Sequence, residues 1–330
     1  MGGEHREPAD DRAQRPAPLH QPGFRDHDRH PGRAQPQRRQ PRYLAGRDRG
    51  AVPGRQAELE TSELHLHPNR GTDTVRQTIT ELEEVVRGRL ENWPEQWEGY
   101  HWPGYTWEHT LRVRDLALRL AGEAGADAEV VEIAAVLHDI EKPVGREHAH
   151  AGAETSRVVL AECDLSGEMC ERIIHAIDSH AGENRPDYPI ENLVLGDADL
   201  IDANFGLVGT WRFITIRAGH GSSVEETIRG FRDWLPRKDE LIGLLNTEPG
   251  RAVAADRREW MHQFCAGVEE AFDDGASGRG LVSMVEHINA EHARGSILQQ
   301  LAALLAIAEA SGDGAMGAYR RLVDEIEGRA

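Results

Sequence analysis

The chain has 330 residues and a formal net charge of -19, and arginine supplies 36 of its 38 basic residues. A chain this acidic lacks the basic face that binding along a nucleic-acid backbone requires, so we expect no nucleic-acid polymer as a partner. Its three cysteines form no C-x-x-C pair, which argues against a disulfide framework or a cysteine zinc site and favours the reducing cytoplasm. The longest apolar run, Leu301 to Ala308, is far shorter than a membrane span, so we expect no membrane contact.

Residues 1–72 differ in composition from the rest of the chain. They are rich in Arg, Pro, His, Gln and Gly and show hardly any aliphatic periodicity, so they cannot bury enough apolar surface to fold. Their net charge is +3, which leaves -22 on the remaining residues. We predict a disordered, low-complexity tail, and a mis-assigned start codon is the alternative origin of this segment.

Helical periodicity begins at Thr72 and predicts a first helix over Val75 to Leu90. The segment Asn92 to Trp107 then holds most of the large aromatic side chains. It is either a loop packed over the helices or a platform that stacks a substrate base. The next predicted helix, Thr106 to Gly122, carries His109 on its apolar face.

The segment Val130 to Pro143 is a short apolar helix that ends in the doublet His138-Asp139 before its proline. The apolar spacing of this helix places His138 in or beside the core. A buried His-Asp pair is either a core histidine satisfied by a carboxylate or two ligands of a divalent metal. The doublet by itself leaves both interpretations open.

Two further helices carry histidines. His148 starts a helix whose small residues allow another backbone to approach closely. Ser166 caps the next helix, on which His180 shares the apolar face and His175 lies on another.

An apolar helix predicted over Ile190 to Asn204 contains three aspartates, Asp197, Asp199 and Asp202. Carboxylates in so apolar a helix are costly unless each has a partner. Pairing with the helix dipole or exposure could account for Asp197 but hardly for all three.

Helical patterns continue from Gly206 to Asp273 and, after a glycine-rich joint, to the end of the chain. No useful strand alternation appears, so the predicted fold class is all-α. The predicted domains are the tail at 1–72, a helical domain at 73–275 and a C-terminal helical extension at 276–330.

The order and spacing of His109, the doublet His138-Asp139 and Asp199 resemble those of the HD-domain metal-dependent phosphohydrolases. The extension to Lys142 is similar to their His-Asp-Ile-Gly-Lys form, with Glu141 in place of glycine. Residues 105–273 also resemble compact bacterial HD hydrolases, a group that includes a nucleoside-triphosphate pyrophosphohydrolase. Leu200 stands where that group has arginine, which leaves the nucleotide specificity open.

The resemblance implies an HD-domain helical bundle and a divalent metal held by His109, His138, Asp139 and Asp199. Two imidazoles with two carboxylates suit Mn²⁺ best, and Fe²⁺, Co²⁺, Ni²⁺ or Mg²⁺ are alternatives. A second metal or a phosphate contact is implied for further histidines, namely His148, His175 and His180.

The activity implied is hydrolysis of a phosphoester or phosphoanhydride bond in a small nucleotide-like substrate by metal-activated water. Catalytic roles fall to Asp139, Lys142 and Asp202, the last as an orienting group or a general base. Substrate phosphates are expected near Lys142, Arg146 and Arg212, although surface ion pairing is the alternative for the two arginines. The rival functions are a di-iron HD-type oxygenase and a catalytically silent metal-binding sensor or scaffold. The oligomeric state does not follow from the sequence.

Overall fold

The computed structural model describes residues 73–91, 101–181, 185–275 and 278–330. Within these ranges the regular structure is helical and contains no strand, which confirms the all-α prediction. The predicted tail at 1–72 lies outside the described residues, as do Trp93, Trp97 and Tyr100 of the aromatic segment. None of the described helices is both long enough and apolar enough to cross a lipid bilayer.

Five helices precede the aspartate-bearing helix: α1 (Asp73–Glu91), α2 (Pro103–Ala124), α3 (Ala128–Leu137), α4 (His148–Leu160) and α5 (Gly167–Ser179). The aspartates lie on α6 (Ile190–Asn204), which is followed by α7 (Gly206–Gly219), α8 (Val224–Arg229), α9 (Phe231–Leu241) and α10 (Glu248–Asp274). The last helices are α11 (Arg279–Ala290), α12 (Leu301–Ser311) and α13 (Asp313–Ile326).

Helix α3 is the central element of the fold. It begins where the Asp127 side chain accepts hydrogen bonds from the backbone N–H groups of Glu129 and Val130. Its apolar residues are buried on all sides, and it packs against α1, α2, α5 and α6. Its end is therefore enclosed by other helices, and His138 and Asp139 emerge at that enclosed end.

Helix α4 approaches the end of α3 closely, as its small residues predict. A Cβ atom added at Gly152 would lie 3.4 Å from the carbonyl oxygen of His138. A Cβ at that distance would make a close van der Waals contact with the carbonyl group. Helix α4 thus packs against the end of α3 and places His148 beside the His138-Asp139 turn.

One of the three aspartates of α6 has a structural role. The Asp197 carboxylate accepts the backbone N–H of Asn246 (2.9 Å) and of Thr247 (2.7 Å) at the start of α10. Its partners are therefore backbone groups of a connecting segment. The other two aspartates, Asp199 and Asp202, contact different residues.

The C-terminal helices pack on the core of the described fold. Helices α11 and α13 contact α7, and α11 also contacts α10. Glu325 of α13, only 1 % exposed, accepts the backbone N–H of Val208 (2.9 Å) in the first turn of α7. Gly206, the first residue of α7, has φ +80 and lies against the Glu325 carboxylate. A side chain at Gly206 would collide with that carboxylate. The division into domains at 275 stays a prediction.

The carboxylate of Glu325 caps α7 from a distant helix, so its removal should destabilise the fold. We expect Glu325→Ala to lower the free energy of unfolding by about 1–2 kcal/mol, because a buried N–H of α7 loses its acceptor. Chemical denaturation measures the change. The exposed Glu327→Ala on the same segment is the control, and equal effects of both variants would contradict the capping role.

Candidate metal centre

Helices distant in sequence bring four predicted ligands together. His109 comes from α2, His138 and Asp139 from the end of α3, and Asp199 from α6. The side chains of His138 and Asp139 are 0 % exposed, whereas that of Asp199 is 20 % exposed. Ligand atoms of His109, His138 and Asp199 lie within 4.8 Å of one another. The same holds for His138, Asp139 and His180, so the two groups share one ligand and adjoin each other.

Each histidine of the centre has its Nδ1 atom hydrogen-bonded away from the cluster. Backbone carbonyl groups accept from Nδ1 of His138 (2.7 Å), His148 (2.8 Å) and His180 (2.6 Å). The Asp202 carboxylate accepts from Nδ1 of His109 (2.6 Å). A carbonyl oxygen can only accept, so in His138, His148 and His180 the proton sits on Nδ1 and Nε2 keeps its lone pair. This is the tautomer that metal-ligating histidines show. Nε2 of His109 lies 3.0 Å from Oδ1 of Asp199.

Three ligand atoms at the centre are buried without a hydrogen-bond partner among the described residues. They are Nε2 of His138, Nε2 of His180 and Oδ2 of Asp139. Buried acceptors without a donor are costly, and a divalent cation would satisfy all three at once. The donor set of imidazole nitrogens and carboxylate oxygens is also one that divalent transition metals accept. The residues present therefore fit a divalent metal.

Burial keeps two of the histidines neutral. It lowers the pKa of His138 to about 4, and burial together with the charge of Lys142 lowers that of His148 to about 4. Both rings are therefore in their metal-binding form at neutral pH. His109 differs: burial lowers its pKa, but Asp199 and Asp202 outweigh burial and raise it. Carboxylates on both sides of the ring therefore favour its protonated form more than burial disfavours it.

Arg112 and Asp202 form a second layer behind His109. The Arg112 guanidinium donates from Nε to Oδ1 (2.9 Å) and from Nη2 to Oδ2 (3.0 Å) of Asp202. Burial raises the pKa of Asp202, but Arg112 and His109 outweigh burial and hold it well below the usual range. Asp202 therefore stays ionised and orients His109. Arg112 was not singled out in the sequence, although its spacing of three residues from His109 places both on one helix face.

Lys142 lies inside the cluster. Its Nζ donates to Oδ1 of Asp139 (2.9 Å) and to Nε2 of His148 (3.1 Å). The His148 ring lies 5.1 Å from the His180 ring, which in turn lies 5.1 Å from that of His138. His148 and His180 therefore adjoin the predicted primary ligands, and their role toward a second metal or a phosphate group stays a prediction.

The remaining predicted residues are placed differently. The ring of His175 faces away from the cluster, where its Nδ1 accepts from Nδ2 of Asn192 (2.9 Å). Arg146 is exposed on the turn before α4. Arg212 donates to the carbonyl oxygen of Ala203 (3.2 Å) at the end of α6. Their roles toward a substrate stay predictions.

Aromatic rings form a wall behind His109 that the sequence analysis did not assign to the site. The Tyr105 ring stacks on that of His109 at 5.5 Å, and Trp211 stacks behind Tyr105 at 6.2 Å. Trp102 packs against both Tyr105 and Trp211. The buried rings are packed core, which favours packing over a stacking platform, but Tyr105 lies in the first turn of α2 and not in the predicted loop.

The C-terminal segment holds this wall in place. Trp102 donates from its indole Nε1 to the carbonyl oxygen of Gly295 (2.7 Å), and Trp211 donates from Nε1 to the Gln300 side chain (3.2 Å). Glu108, next to His109, accepts the backbone N–H of Ile297 (2.9 Å). The residues that follow α11 are therefore part of the support of His109.

His101 is a second residue that the sequence analysis missed. Its Nδ1 is buried and has no hydrogen-bond partner among the residues that the structure describes. Burial, Lys142 and Arg212 lower its pKa well below the usual value, so it lies under the influence of both cations. No motif surrounds His101, and only its closeness to Lys142 in space reveals it.

The four predicted ligands lie in a segment that matches a known protein family. Residues 106–204 match the family described as HD domain. The uncharacterized protein YpgQ of Bacillus subtilis is 28% identical over 174 residues, which cover 51% of this chain and 84% of YpgQ. A ribonuclease Y of Cutibacterium acnes is 37% identical over 101 residues, but these cover 29% of this chain and only 17% of that relative.

Solved structures give a similar picture. The crystal structure of Bacillus subtilis YpgQ in complex with ADP is 25% identical, with a TM-score of 0.45, over 60% of this chain and 96% of that one. An HD-superfamily hydrolase from Bacillus thuringiensis is 22% identical, with a TM-score of 0.47, over 61% of this chain and 99% of that one.

The buried pair of Arg112 and Asp202 gives a test of the second layer. Arg112→Met should lower the free energy of unfolding by about 3–5 kcal/mol, since it leaves the Asp202 carboxylate buried without its guanidinium. Denaturant titration measures this. Arg119→Met on the same helix removes a partly exposed arginine and is the control, expected to change stability by about 0.5 kcal/mol or less. A loss no greater in Arg112→Met than in the control would contradict the role of the pair.

The metal-free protein should become less stable as the pH falls from about 6.5 to about 4. His138 and His148 have folded pKa values lowered from 6.5 to about 4, so the unfolded chain binds more protons than the folded one in this window. The pKa of His109 is raised, so this residue makes stability change with pH in the opposite direction. Each lowered histidine contributes a slope of at most about 1.4 kcal/mol per pH unit.

Denaturation of chelator-treated protein across this pH range measures the slope. His138→Asn should make it shallower, whereas His150→Gln, which removes an exposed histidine, should leave it unchanged. A slope that His138→Asn does not alter would show that His138 is not held neutral by burial.

Proposed function

From the premise that residues 106–204 belong to the HD domain family, we propose that this chain hydrolyses a phosphoester or phosphoanhydride bond in a small nucleotide-like substrate. The prediction of an HD-domain metal-dependent phosphohydrolase is confirmed at the level of the family. The substrate, the identity of the metal and the roles of single residues are the content of the proposal.

One observation carries the metal-dependent part of the proposal. His138 and Asp139 present buried ligand atoms that no donor among the described residues satisfies, at the end of the central helix. In a purely structural His-Asp pair, the two side chains would hydrogen-bond to each other. Here His138 Nε2 lies 3.5 Å from Oδ2 of Asp139. The geometry therefore favours ligands over a satisfied core pair.

The bound metal would polarise a phosphoryl oxygen and lower the pKa of a coordinated water. The side chains of this protein fix the surroundings of that chemistry. Asp202 and Arg112 hold the His109 ring in one orientation, and Lys142 holds Oδ1 of Asp139 while leaving Oδ2 unpaired. The Lys142 ammonium also brings a positive charge to the place where phosphate charge would accumulate.

The direction of substrate approach follows from the exposure of the ligands. His109, His138 and Asp139 are closed off from solvent, whereas Asp199 is partly exposed. The open side of the centre is therefore that of Asp199, on α6. A substrate phosphate would enter there and meet the ligands from the solvent side.

Manganese is the metal that we propose. Mixed imidazole and carboxylate ligands suit Mn²⁺ and, next to it, Fe²⁺, Co²⁺ or Ni²⁺, whereas Mg²⁺ prefers an oxygen-only shell. His148 and His180 lie where a second ion or a phosphate group would contact them.

A mononucleotide suits the charge of the protein better than an RNA chain. The residues after the tail carry a formal charge of -22, which opposes binding along a polyphosphate backbone. The ADP present in the YpgQ crystal structure supports a nucleotide ligand. The matches to ribonuclease Y proteins cover at most 29% of those relatives, so their names carry little weight for the substrate.

Removal of Asp139 tests the proposal. Asp139→Asn keeps the size of the side chain but removes a ligand charge, so we expect loss of bound metal and a fall in turnover of about 100-fold or more. Metal content is measured by elemental analysis after purification with Mn²⁺. The matched control is Asp178→Asn, which changes an exposed aspartate and should retain both properties. Unchanged metal content in Asp139→Asn would refute the ligand role.

A substrate panel separates the alternatives for the reaction. Nucleoside mono-, di- and triphosphates and an RNA oligonucleotide are incubated with the Mn²⁺ protein, and phosphate and pyrophosphate release are read separately. Cleavage of the oligonucleotide alone would contradict the small-substrate proposal. Metal binding with no turnover across the panel would favour the sensor or scaffold.

A further inference from the structure

Glu141 is a buried carboxylate two residues after Asp139, in a centre that is already rich in acidic groups. Its side chain is 8 % exposed. The motif that this stretch resembles has glycine here, so the carboxylate belongs to this chain in particular. A negative charge beside a phosphate site is unfavourable by itself, and the mechanism described above does not use Glu141. Its contacts therefore decide what it does there.

Two helices donate hydrogen bonds to Glu141. Arg89, in the last turn of α1, donates from Nη2 to Oε1 of Glu141. Thr155, on α4, donates from its hydroxyl group to the same oxygen (2.5 Å). Arg89 stands 52 residues before Glu141 and Thr155 14 residues after it, so tertiary packing brings the three together. These three residues form what we call the Glu141 clamp.

The turn that this clamp holds follows directly on α3. The backbone N–H of Lys142 donates to the carbonyl oxygen of Asp139 (2.9 Å), and that of Val144 to the carbonyl oxygen of Glu141 (2.9 Å). These bonds join near neighbours and shape the turn. The Glu141 side chain attaches the turn to α1 and α4.

Lys142 is the residue of this turn whose position matters most for the centre. Its Nζ donates to Oδ1 of Asp139 (2.9 Å) and to Nε2 of His148 (3.1 Å). A lysine side chain is flexible, so the place of its ammonium depends on a fixed backbone and on such contacts. A shift of the turn would move the positive charge away from the place where phosphate charge accumulates.

Stability alone is a weak reason for a buried carboxylate at this position. Arg89 is 39 % exposed, and an ion pair with a partner this exposed contributes little to the free energy of unfolding. The pair does offset the charge of Glu141, which lets a carboxylate stand beside a phosphate site. The contacts of Glu141 therefore point to a role in positioning.

We propose that Glu141 is a positioning residue that acts through Lys142. Through Arg89 and Thr155 it fixes the turn after α3, so that the Lys142 ammonium meets a phosphate group at the metal centre. The inference rests on the proposed function, because that function places a phosphate group at Lys142. It makes α1 contribute to substrate binding through Arg89, from outside the centre.

Binding of methylphosphonate to the full chain loaded with Mn²⁺ tests the sign of this effect. If Glu141 acted only through its charge, its removal would strengthen the binding of an anion. Because it anchors Lys142, we expect Glu141→Ala to weaken methylphosphonate binding about fivefold or more. Calorimetry gives the dissociation constants. Glu147→Ala removes an exposed carboxylate from the same loop and should not weaken binding.

The reactivity of Lys142 gives a second measurement that needs no metal and no substrate. The chain has only two lysines, Lys142 and Lys238, so their acetylation by acetic anhydride can be followed separately by peptide mass spectrometry. In metal-free Glu141→Ala, acetylation of Lys142 should become about fivefold faster or more relative to Lys238, because its ammonium is no longer held. An equal rise at both lysines would indicate general unfolding.

Arg89→Met releases the clamp from α1 and keeps the test usable if Glu141→Ala does not fold. It should change methylphosphonate binding and Lys142 acetylation in the same directions as Glu141→Ala. Arg87→Met, which removes an exposed arginine paired with Glu91, is its control and should change neither.

Methylphosphonate binding that is unchanged or stronger in Glu141→Ala would overturn the inference, as would a Lys142 acetylation rate that does not rise relative to Lys238. Neither measurement involves turnover, so the proposed function is judged separately. A chain that shows both expected changes but hydrolyses nothing in the panel contradicts only the hydrolase proposal. A chain that hydrolyses nucleotides while Glu141→Ala behaves as wild type contradicts only the role of Glu141.

Discussion

The unpaired ligand atoms at the end of α3 are the constraint around which this protein is arranged. Asp139 is fully buried, and its Oδ2 and the neighbouring Nε2 of His138 lack hydrogen-bond partners in the described chain. Such groups are costly in a protein interior unless a cation binds them. The contacts around His138 and Asp139 hold these two atoms in place. Helix α4 packs at Gly152 against the carbonyl group of His138, and Lys142 donates to only one oxygen of Asp139.

Support for the centre extends well beyond the ligands. Behind His109 lie Asp202 and Arg112 on one side and the stacked rings of Tyr105 and Trp211 on the other. The segment after α11 completes this support through hydrogen bonds to the indole rings and to the Glu108 carboxylate. The segment around the C-terminal helices thus does more than cover the core: it fixes the aromatic rings on which His109, a candidate metal ligand, packs. A rigid surrounding of this kind is what precise ligand geometry requires.

Several features of the site could be predicted from the sequence because they depend on local pattern. The apolar face of α2 places His109 inward, and the apolar helix α3 with its proline stop places His138 and Asp139 at a buried end. Arg112 was equally accessible, since it lies three residues after His109. The sequence did not separate His175 from His180, because His175 lies on α5 and His180 directly follows it. The structure brings only His180 to the cluster, since that residue shares the buried face with Ile177.

By itself, the sequence determined the helical class of the protein, the candidate ligands and the helix that carries each of them, because helical periodicity and residue chemistry are local properties. Only the tertiary structure decided which nitrogen of each histidine faces the centre, since that depends on carbonyl and carboxylate acceptors around each ring. It also decided that Lys238 donates a hydrogen bond to the side chain of Asn204 at the end of α6. The 33 positions between Asn204 and Lys238 carry no pattern that brings these two residues together, and only the packing of α9 near the end of α6 does so.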